Sequence, residues 1–409
     1  MRPQPVLLRL GGGTRPTWLS AEAAAAAREV DDRPFPDAEY AARLGRVRHA
    51  MSEAALDAMV VFRPSSIEYL CGYHTAEKAP QPLLLTASEA VLYIPDLEVG
   101  RALVSARVDQ VLYSQYADAL RDLESFVDHA TGQLSRHARV GVELSHASTP
   151  PQAVELFRRE RVELVHTDHL VERVRLVLSP QEIRCVEQAA VHTQAGVDAA
   201  VAHARGPDAT DASMAAAIAA ALFARADSAS AWGPVVATGR RGSIPHSSWT
   251  HRRLSAGTTF LEFSGAHHRY HAPVMRTLVR GRPDATARRL SDLATAALAA
   301  VLETARPGVP CSEVAEQANA AIAPLPDDTV FHQLFGYPVG LAHPPHWMDG
   351  APFYLVRDND ERLRAGMVFH VPASFRSLGR SGVGLSQTFL VEEDGARVLT
   401  HGPATMTEL

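Results

Sequence analysis

Apolar and polar positions along the first half of the chain alternate in the way that is typical of an α/β domain. Short apolar runs bounded by turn residues predict strands, and segments with apolar residues at helical spacing predict helices. One helix is expected to begin near Asp37, a possible N-cap, another to span about residues 152–159, and residues 64–66 to form a turn. The predicted strands are residues 58–62, 82–86, 90–94, 139–143 and 162–165.

The second half of the chain has longer helical segments. Alanine-rich stretches at roughly residues 180–204 and 211–226, and another at about 284–305, have helical spacing. Ser179 followed by Pro180 is typical of a capped helix start. Between these helices, residues 246–277 predict an apolar strand, a turn rich in His and Arg, and a second strand. No helix is expected beyond about residue 323.

These patterns predict three segments. Residues 1–33 are expected to be a loose N-terminal extension, residues 34–174 an α/β domain, and residues 175–409 a second domain that combines helices with strands. The fold class is therefore predicted as α+β overall.

Composition and charge narrow the possible partners. The net charge of -6 and the lack of a long basic run argue against nucleic acid or an anionic membrane as a partner. Cys71, Cys185 and Cys311 lie far apart, which indicates a reducing compartment and neither a disulfide framework nor a zinc motif. No apolar run approaches the roughly 20 residues that cross a bilayer. We therefore expect a cytoplasmic protein that acts on a small molecule.

One acidic residue, Glu262, lies inside the apolar strand and is the first candidate for chemistry. A buried carboxylate is unfavourable without partners, so a salt bridge to Arg269 or Arg276 is the structural alternative. A carboxylate among apolar neighbours has a raised pKa and can act as a base or nucleophile near neutral pH. A histidine within reach, such as His246, could protonate a leaving nitrogen.

Several motifs in a fixed order resemble those of the pita-bread family, which includes methionine aminopeptidase, Xaa-Pro aminopeptidase, prolidase, creatinase and ectoine hydrolase. They are the helix start at residues 179–183, the pair Arg276-Thr277, the strand at 366–369 and the closing strand and hairpin at 390–400. The resemblance covers about residues 35–400. It implies a pita-bread C-terminal domain preceded by a smaller α/β creatinase-like N-terminal domain.

Peptidases of this family hold two divalent metals with two Asp, one His and two Glu, and a bridging water is the nucleophile. By resemblance, these five positions fall here at Glu262, Pro273, Tyr337, Pro372 and Ser386. Only one carboxylate remains among them. The resemblance therefore implies that this chain has lost the dinuclear metal site and uses no metal or other cofactor.

The closer resemblance is to the metal-free members, ectoine hydrolase and creatinase. It implies a metal-independent hydrolase that cleaves a C–N bond of an amidine, guanidine or amide, with Glu262 as nucleophile or general base and His246 as general acid or base. Metal-free relatives are homodimers in which the N-terminal domain of one subunit reaches the other's pocket. The resemblance therefore implies a homodimer here, with the loop at residues 73–81 at the partner's site. By resemblance, the substrate-binding residues are Tyr337, His370, Gln387, His271, Tyr270, Trp347 and Tyr73.

Other readings stay open. The chain could be a non-catalytic pseudo-peptidase that binds a ligand or partner, a divergent biosynthetic enzyme, or, less favoured, a true Xaa-Pro metallopeptidase. Single histidines such as His251, His267 and His268 are more often surface residues than ligands. A new metal site could in principle use the spare histidines at 267, 271, 343, 346 and 370, although no helical HxxxH or HExxH pair supports it.

Overall fold

The computed structural model describes residues 5–10, 16–30, 32–77, 79–118, 122–167, 169–254 and 256–409. The chain divides into two compact units, Met1–Arg175 and Leu176–Leu409. No helix in the described part of the chain is long and apolar enough to cross a membrane. All three cysteines are buried and unpaired with one another.

The described residues of the first unit form one seven-stranded mixed sheet with strand order β1-β5-β4-β3-β2-β6-β7. The strands are β1 Val6–Arg9, β2 Ala58–Val61, β3 Leu83–Thr86, β4 Ala90–Pro95, β5 Gln110–Ser114, β6 Arg139–Val142 and β7 Glu163–His166. The helices are α1 Ala21–Glu29, α2 Asp37–Glu53, α3 Pro64–Cys71, α4 Val99–Ser105, α5 Asp122–Gly132, α6 Pro151–Arg159 and α7 Leu170–Arg175. This confirms the predicted α/β architecture of the first half.

Three local predictions in this unit were wrong. Strand β1 pairs in parallel with β5, so part of the segment expected to be loose belongs to the sheet. Helix α2 has Pro36 as its N-cap, and Asp37 is its first residue. Residues 64–66 are the first turn of α3, because Pro64 is well suited to the first helical position.

The second unit contains two four-stranded sheets, with orders β15-β10-β9-β8 and β11-β12-β13-β14. Its strands are β8 Val235–Thr238, β9 Gly257–His267, β10 Tyr270–Arg280, β11 Tyr337–Pro338, β12 Val368–Ser377, β13 Ser381–Glu392, β14 Gly395–Val398 and β15 Thr407–Glu408. Its helices are α8 Pro180–Ala204, α9 Asp211–Phe223, α10 Ala285–Thr304 and α11 Cys311–Ile322. The predicted helices and the absence of a described helix beyond residue 323 are confirmed, although α9 ends three residues early.

The two sheets of the second unit pack face to face, and the helices cover their outer faces. Apolar residues of α8 and α9 form a core with Leu261 and Phe263 of β9. Those of α10 and α11 form another with Phe369 and Phe375 of β12. Between the sheets, Thr277 on β10 exchanges two hydrogen bonds of 3.0 and 3.1 Å with the backbone of Gly384 on β13.

Helix α8 begins at the Ser179 cap expected from the sequence, and the cap is a full capping box. The Ser179 hydroxyl accepts a hydrogen bond from the Glu182 backbone N–H, and the Glu182 carboxylate accepts one from the Ser179 N–H at 2.8 Å. The same carboxylate accepts a 2.6 Å hydrogen bond from the hydroxyl of Tyr270 on β10. Tyr270 therefore fastens the β9–β10 hairpin to the start of α8.

We expect Gly265→Ala to destabilise the second unit by about 1–3 kcal/mol, the typical cost of overpacking a core. A Cβ at Gly265 would lie 2.5 Å from the carbonyl oxygen of Ala189 and 2.6 Å from the backbone nitrogen of Thr193, and neither atom can move without shifting α8. Denaturant unfolding measures the loss. Gly233→Ala is the control, because no atom lies within 4 Å of its added methyl group. Equal stability of the two variants would contradict this packing.

Candidate active site

A cavity of about 180 Å³ lies in the second unit and contains Glu262. Its walls come from β9, β10, β12 and the two loops at residues 245–246 and 331–348. This volume is close to the ~150 Å³ of an engineered cavity that accepts benzene, so it suits a small molecule. The lining residues are Pro245, His246, Glu262, Met275, Phe331, His332, Leu334, Tyr337, His346, Met348, Pro372, Ser374 and Arg376.

Glu262 faces the cavity because residues alternate across strand β9. Its neighbours Leu261 and Phe263 point to the helix-side core, while Glu262 lies directly across from Met275 of β10. The Glu262 side chain is 4% exposed and forms no hydrogen bond or ion pair within the described part of the chain. Burial raises the pKa of this carboxyl from 4.5 to about 7, and the charge of Arg376 partly opposes the rise.

The cation near Glu262 is Arg376, which the sequence reasoning missed. The alternative of a salt bridge to Arg269 or Arg276 is wrong, because Arg276 donates instead to the Ser386 carbonyl at 2.6 Å. Arg376 is buried, and its guanidinium lies 5.2 Å from the centre of the Phe260 ring. Burial lowers the pKa of Arg376, and the charge of Glu262 opposes this. Alternate residues of a strand share a face, so Arg376 could have been predicted from its even-numbered spacing to His370 along β12.

Tyr337 is held by two buried side chains. Trp347 donates a hydrogen bond from Nε1 to the Tyr337 hydroxyl at 2.9 Å, and His370 Nδ1 lies 2.7 Å from the same oxygen. His370 Nε2 lies 2.7 Å from Ser386 Oγ, which also accepts the backbone N–H of Met275. Burial lowers the pKa of His370 to about 3, so the ring is neutral and has one N–H.

Counting donors places that proton on Nδ1. With the proton on Nε2, Ser386 Oγ would accept two hydrogen bonds, and its own proton would have no acceptor among the described residues. With the proton on Nδ1, Ser386 donates to His370, and His370 and Trp347 both donate to Tyr337. The phenolic proton of Tyr337 then remains available to a molecule in the cavity.

The histidines of the cavity occupy different positions. His246 is exposed at the cavity wall, has a positive φ of 56° and packs its ring edge-on against Trp232. His346, which the sequence suggested only as a spare metal ligand, lines the cavity and lies 4.6 Å from Trp232 between ring centres. Burial lowers the pKa of His346 to about 4, and the charge of His246 adds to this. His246 is therefore the more accessible of the two imidazoles.

The structure brings Glu262, His246 and Tyr337 to one cavity, and it places His370 and Trp347 behind Tyr337. Of the other residues predicted to bind substrate, none in the second unit lines the cavity, and each has a structural partner. His271 accepts the Ala231 N–H, Gln387 lies 3.3 Å from Arg276 and also contacts Thr400, and Tyr270 donates to Glu182.

Tyr73 belongs to the first unit, where its hydroxyl donates to Gln81 and lies 3.2 Å from Glu98. Residue 78 of the same loop lies outside the described residues. That this loop enters the site of a partner subunit stays a prediction.

Four of the five positions matched by resemblance to peptidase metal ligands lie beside one another, whereas Pro273 pairs with Ser264 across the β9–β10 hairpin and does not line the cavity. Tyr337 and Pro372 line the cavity beside Glu262, and Pro372 pairs across the sheet with Ser386. Proline has no side-chain donor, and burial raises the pKa of Tyr337 well above its usual range, so this phenol stays protonated. These groups therefore supply no anionic ligand besides Glu262.

The donor atoms around the cavity do not fit two divalent metals. Glu262 is the one carboxylate among the described residues that line it. Over the described ranges, a single group of three His, Cys, Asp or Glu has its ligand atoms within 4.8 Å of one another, namely Asp227, His267 and His268. None of the three lines the cavity. Hard divalent ions need several oxygen ligands, so no catalytic step is assigned to a metal here.

Comparisons with known proteins identify both units. Residues 184–393 match the model of metallopeptidase family M24, and residues 43–177 match the creatinase/prolidase N-terminal domain. The chain is 28% identical to an uncharacterized hydrolase/peptidase, y4tM, of Sinorhizobium fredii, over 90% of this chain and 97% of that protein. It is 26% identical to ectoine hydrolase of Halomonas elongata, again over 90% of this chain and 97% of the relative.

Solved structures show the same fold. Dipeptidase PepE of Mycobacterium ulcerans superposes with a TM-score of 0.77 at 25% identity, covering 91% of this chain and 99% of that one. Prolidase of Pyrococcus horikoshii superposes with a TM-score of 0.74 at 21% identity, covering 88% of this chain and 98% of that one. The fold is thus a creatinase-type N-terminal domain followed by a pita-bread domain, and the chain belongs to metallopeptidase family M24, a family of hydrolases and peptidases.

Proposed function

We propose that this protein is a metal-independent hydrolase that cleaves a C–N bond of a small nitrogenous molecule. The strongest support is the Glu262 carboxylate, which is buried in the cavity without a hydrogen-bond partner among the described residues and has a pKa raised to about 7. A group with this pKa is ionised in a large fraction of molecules at neutral pH, and it can act as a nucleophile or a base.

Each proton transfer in the proposed reaction is assigned to a side chain that lines the cavity. Ionised Glu262 either attacks the substrate carbon or takes a proton from an attacking water. On either route the C–N bond breaks, and the nitrogen leaves with a proton that His246 donates from the cavity wall. On the covalent route, water then cleaves the bond between Glu262 and the substrate and gives its proton to His246, so the carbon gains the oxygen of water. On the general-base route, Glu262 releases the proton it took from water, and His246 regains one from solvent. The hydroxyl of Tyr337, oriented by His370 and Trp347, donates a hydrogen bond to the substrate.

The charges of the cavity favour a zwitterionic substrate. Glu262 offers a negative charge to an amidinium or guanidinium group, and Arg376 offers a positive charge to a carboxylate on the same molecule. A volume of about 180 Å³ favours roughly ten non-hydrogen atoms or fewer. Cyclic amidines that carry a carboxylate, as ectoine does, meet both conditions, and the similarity to ectoine hydrolase supports the same class.

The proposal is tested with purified, chelator-treated protein. We expect hydrolysis of an amidine or guanidine carboxylic acid (ectoine, creatine and guanidinoacetate are the first probes), detected by mass spectrometry of the product. The rate should change by less than about twofold on adding a chelator or manganese, and a decarboxylated analogue should react at least tenfold more slowly. Hydrolysis of Xaa-Pro dipeptides that depends on manganese or cobalt would contradict the proposal.

A further inference from the structure

Three metal-ligating side chains meet at the tip of the β9–β10 hairpin, away from the residues that line the Glu262 cavity. Asp227 Oδ2 lies 3.5 Å from His267 Nδ1 and also contacts His268 Nδ1. Neighbouring ligand atoms around a tetrahedral zinc ion, with bonds of about 2.0–2.1 Å, lie ~3.3 Å apart. The Asp227–His267 spacing therefore matches zinc ligation. His268 Nδ1 lies closer to Asp227 than two ligands of one ion do, so its ring would rotate slightly away from the carboxylate to bind the ion.

One nitrogen of this cluster is buried without a hydrogen bond. His267 Nδ1 makes no hydrogen bond with any described residue, and it lies 3.5 Å from Asp227 Oδ2 at ion-pair distance only. Its ring packs edge-on against His192, 5.8 Å away between centres, so its orientation is fixed. His192 is not a further ligand, because its Nδ1 lies 3.0 Å from the carbonyl oxygen of Ala266 and its Nε2 lies 3.1 Å from the side-chain nitrogen of Gln188. A metal ion would satisfy the unpaired nitrogen of His267, which water reaches poorly.

The hairpin turn is shaped to present these ligands. His268 and Arg269 both have positive φ, 47° and 59°, at turn positions where Asn and Gly are preferred. Asp227 Oδ1 accepts the backbone N–H of His268 at 2.8 Å, and Ser228 Oγ accepts that of Arg269 at 2.9 Å. The segment after helix α9 therefore holds the turn in a conformation that faces two imidazoles toward one carboxylate.

We propose that Asp227, His267 and His268 bind one divalent transition ion of the zinc type. Carboxylate oxygen and imidazole nitrogen are ordinary zinc ligands, and water takes the remaining position. The ion is a structural clip that ties the chain after α9 to the hairpin whose strands carry Glu262 and Met275. It stands apart from catalysis, so the proposal is independent of the metal-independent hydrolase activity.

The test titrates zinc into the full-length, chelator-stripped protein by calorimetry. We expect one ion per chain and a rise in melting temperature with zinc concentration, because the ion binds the folded state. His267→Ala and His268→Ala should each weaken binding at least tenfold. Asp227→Asn removes the charge of the carboxylate ligand, while its amide oxygen can still accept the His268 backbone N–H and so keep the turn in place. His251→Ala, another exposed histidine of the same unit, is the matched control.

The outcomes separate the two proposals. Binding that survives both His267→Ala and His268→Ala, in variants with native circular dichroism, overturns the zinc site. Binding that is lost in Glu262→Gln but kept in the hairpin variants places the ion in the cavity, and it overturns the metal-independent hydrolase as well. Loss in the hairpin variants with unchanged binding in Glu262→Gln and His251→Ala is the expected result.

Discussion

Glu262→Gln is expected to abolish turnover and, above pH 7, to make the protein more stable. The native pKa of about 7 lies above the ordinary value of 4.5, so the folded protein keeps this proton over a pH range in which the unfolded chain releases it. Stability is therefore lost as the pH rises through that window. At pH 8 the ionised carboxylate costs about 3 kcal/mol, and glutamine cannot ionise.

The measurement is the free energy of unfolding of both proteins from pH 4.5 to pH 8.5. The difference between variant and wild type should grow by about 3 kcal/mol in favour of the variant, and subtraction cancels groups that titrate in both. Turnover should fall by on the order of 10⁴-fold or more, as for removal of a catalytic nucleophile or base. Glu303→Gln, on an exposed position of α10, is the control. A pH-independent difference would refute the buried, unpaired carboxylate, and retained turnover would refute its catalytic role.

Tyr337→Phe is expected to damage both stability and rate. Its hydroxyl accepts hydrogen bonds from Trp347 and His370, and both donors are buried. Leaving each unsatisfied costs about 1–3 kcal/mol, so we expect about 2–6 kcal/mol in total. Losing a hydrogen-bond donor to the reacting group typically slows turnover by about 10²–10³-fold.

Tyr354→Phe makes the same change on a side chain that is 39% exposed and serves as the control. Denaturant unfolding and steady-state kinetics separate the two effects of Tyr337→Phe. A rate loss without destabilisation would show that the donors find other acceptors. Destabilisation with unchanged kcat would show that Tyr337 only completes the buried network and does not touch the substrate.

The fold was largely predictable because its signals are local. The capping box at Ser179 and Glu182, the long alanine-rich helices and the apolar strands each depend on residues a few positions apart. One exception has a non-local origin: strand β1 is defined by pairing with β5, about a hundred residues away, and no local pattern contains that information. The other two, the N-cap of α2 and the first turn of α3, were local errors at Pro36 and Pro64.

The site was predictable only in part, for a similar reason. Glu262 stood out because a charge inside an apolar strand is unusual, and His246 and Tyr337 followed from resemblance. Gln387 was predicted to bind substrate from its motif. It is adjacent to Ser386 in β13, and successive residues of a strand point to opposite faces, so the two side chains cannot both face the same side of the sheet. Arg376 was missed because an arginine near a strand end is common on surfaces, and only the packing of two sheets buries it.

Strand β12 packs against the helices with one face and lines the cavity with the other. Its odd-numbered residues from Phe369 to Phe375 lie in the helix-side core, and Pro372, Ser374 and Arg376 face the cavity. The Ser374 hydroxyl is buried without a hydrogen-bond partner among the described residues. Positions 372 and 374 can therefore be exchanged for other side chains without disturbing the helix-side packing. Substitutions at these two positions of β12 would change the cavity wall and hence the substrates that fit it. A library of variants at residues 372 and 374 is therefore a direct way to alter substrate selectivity.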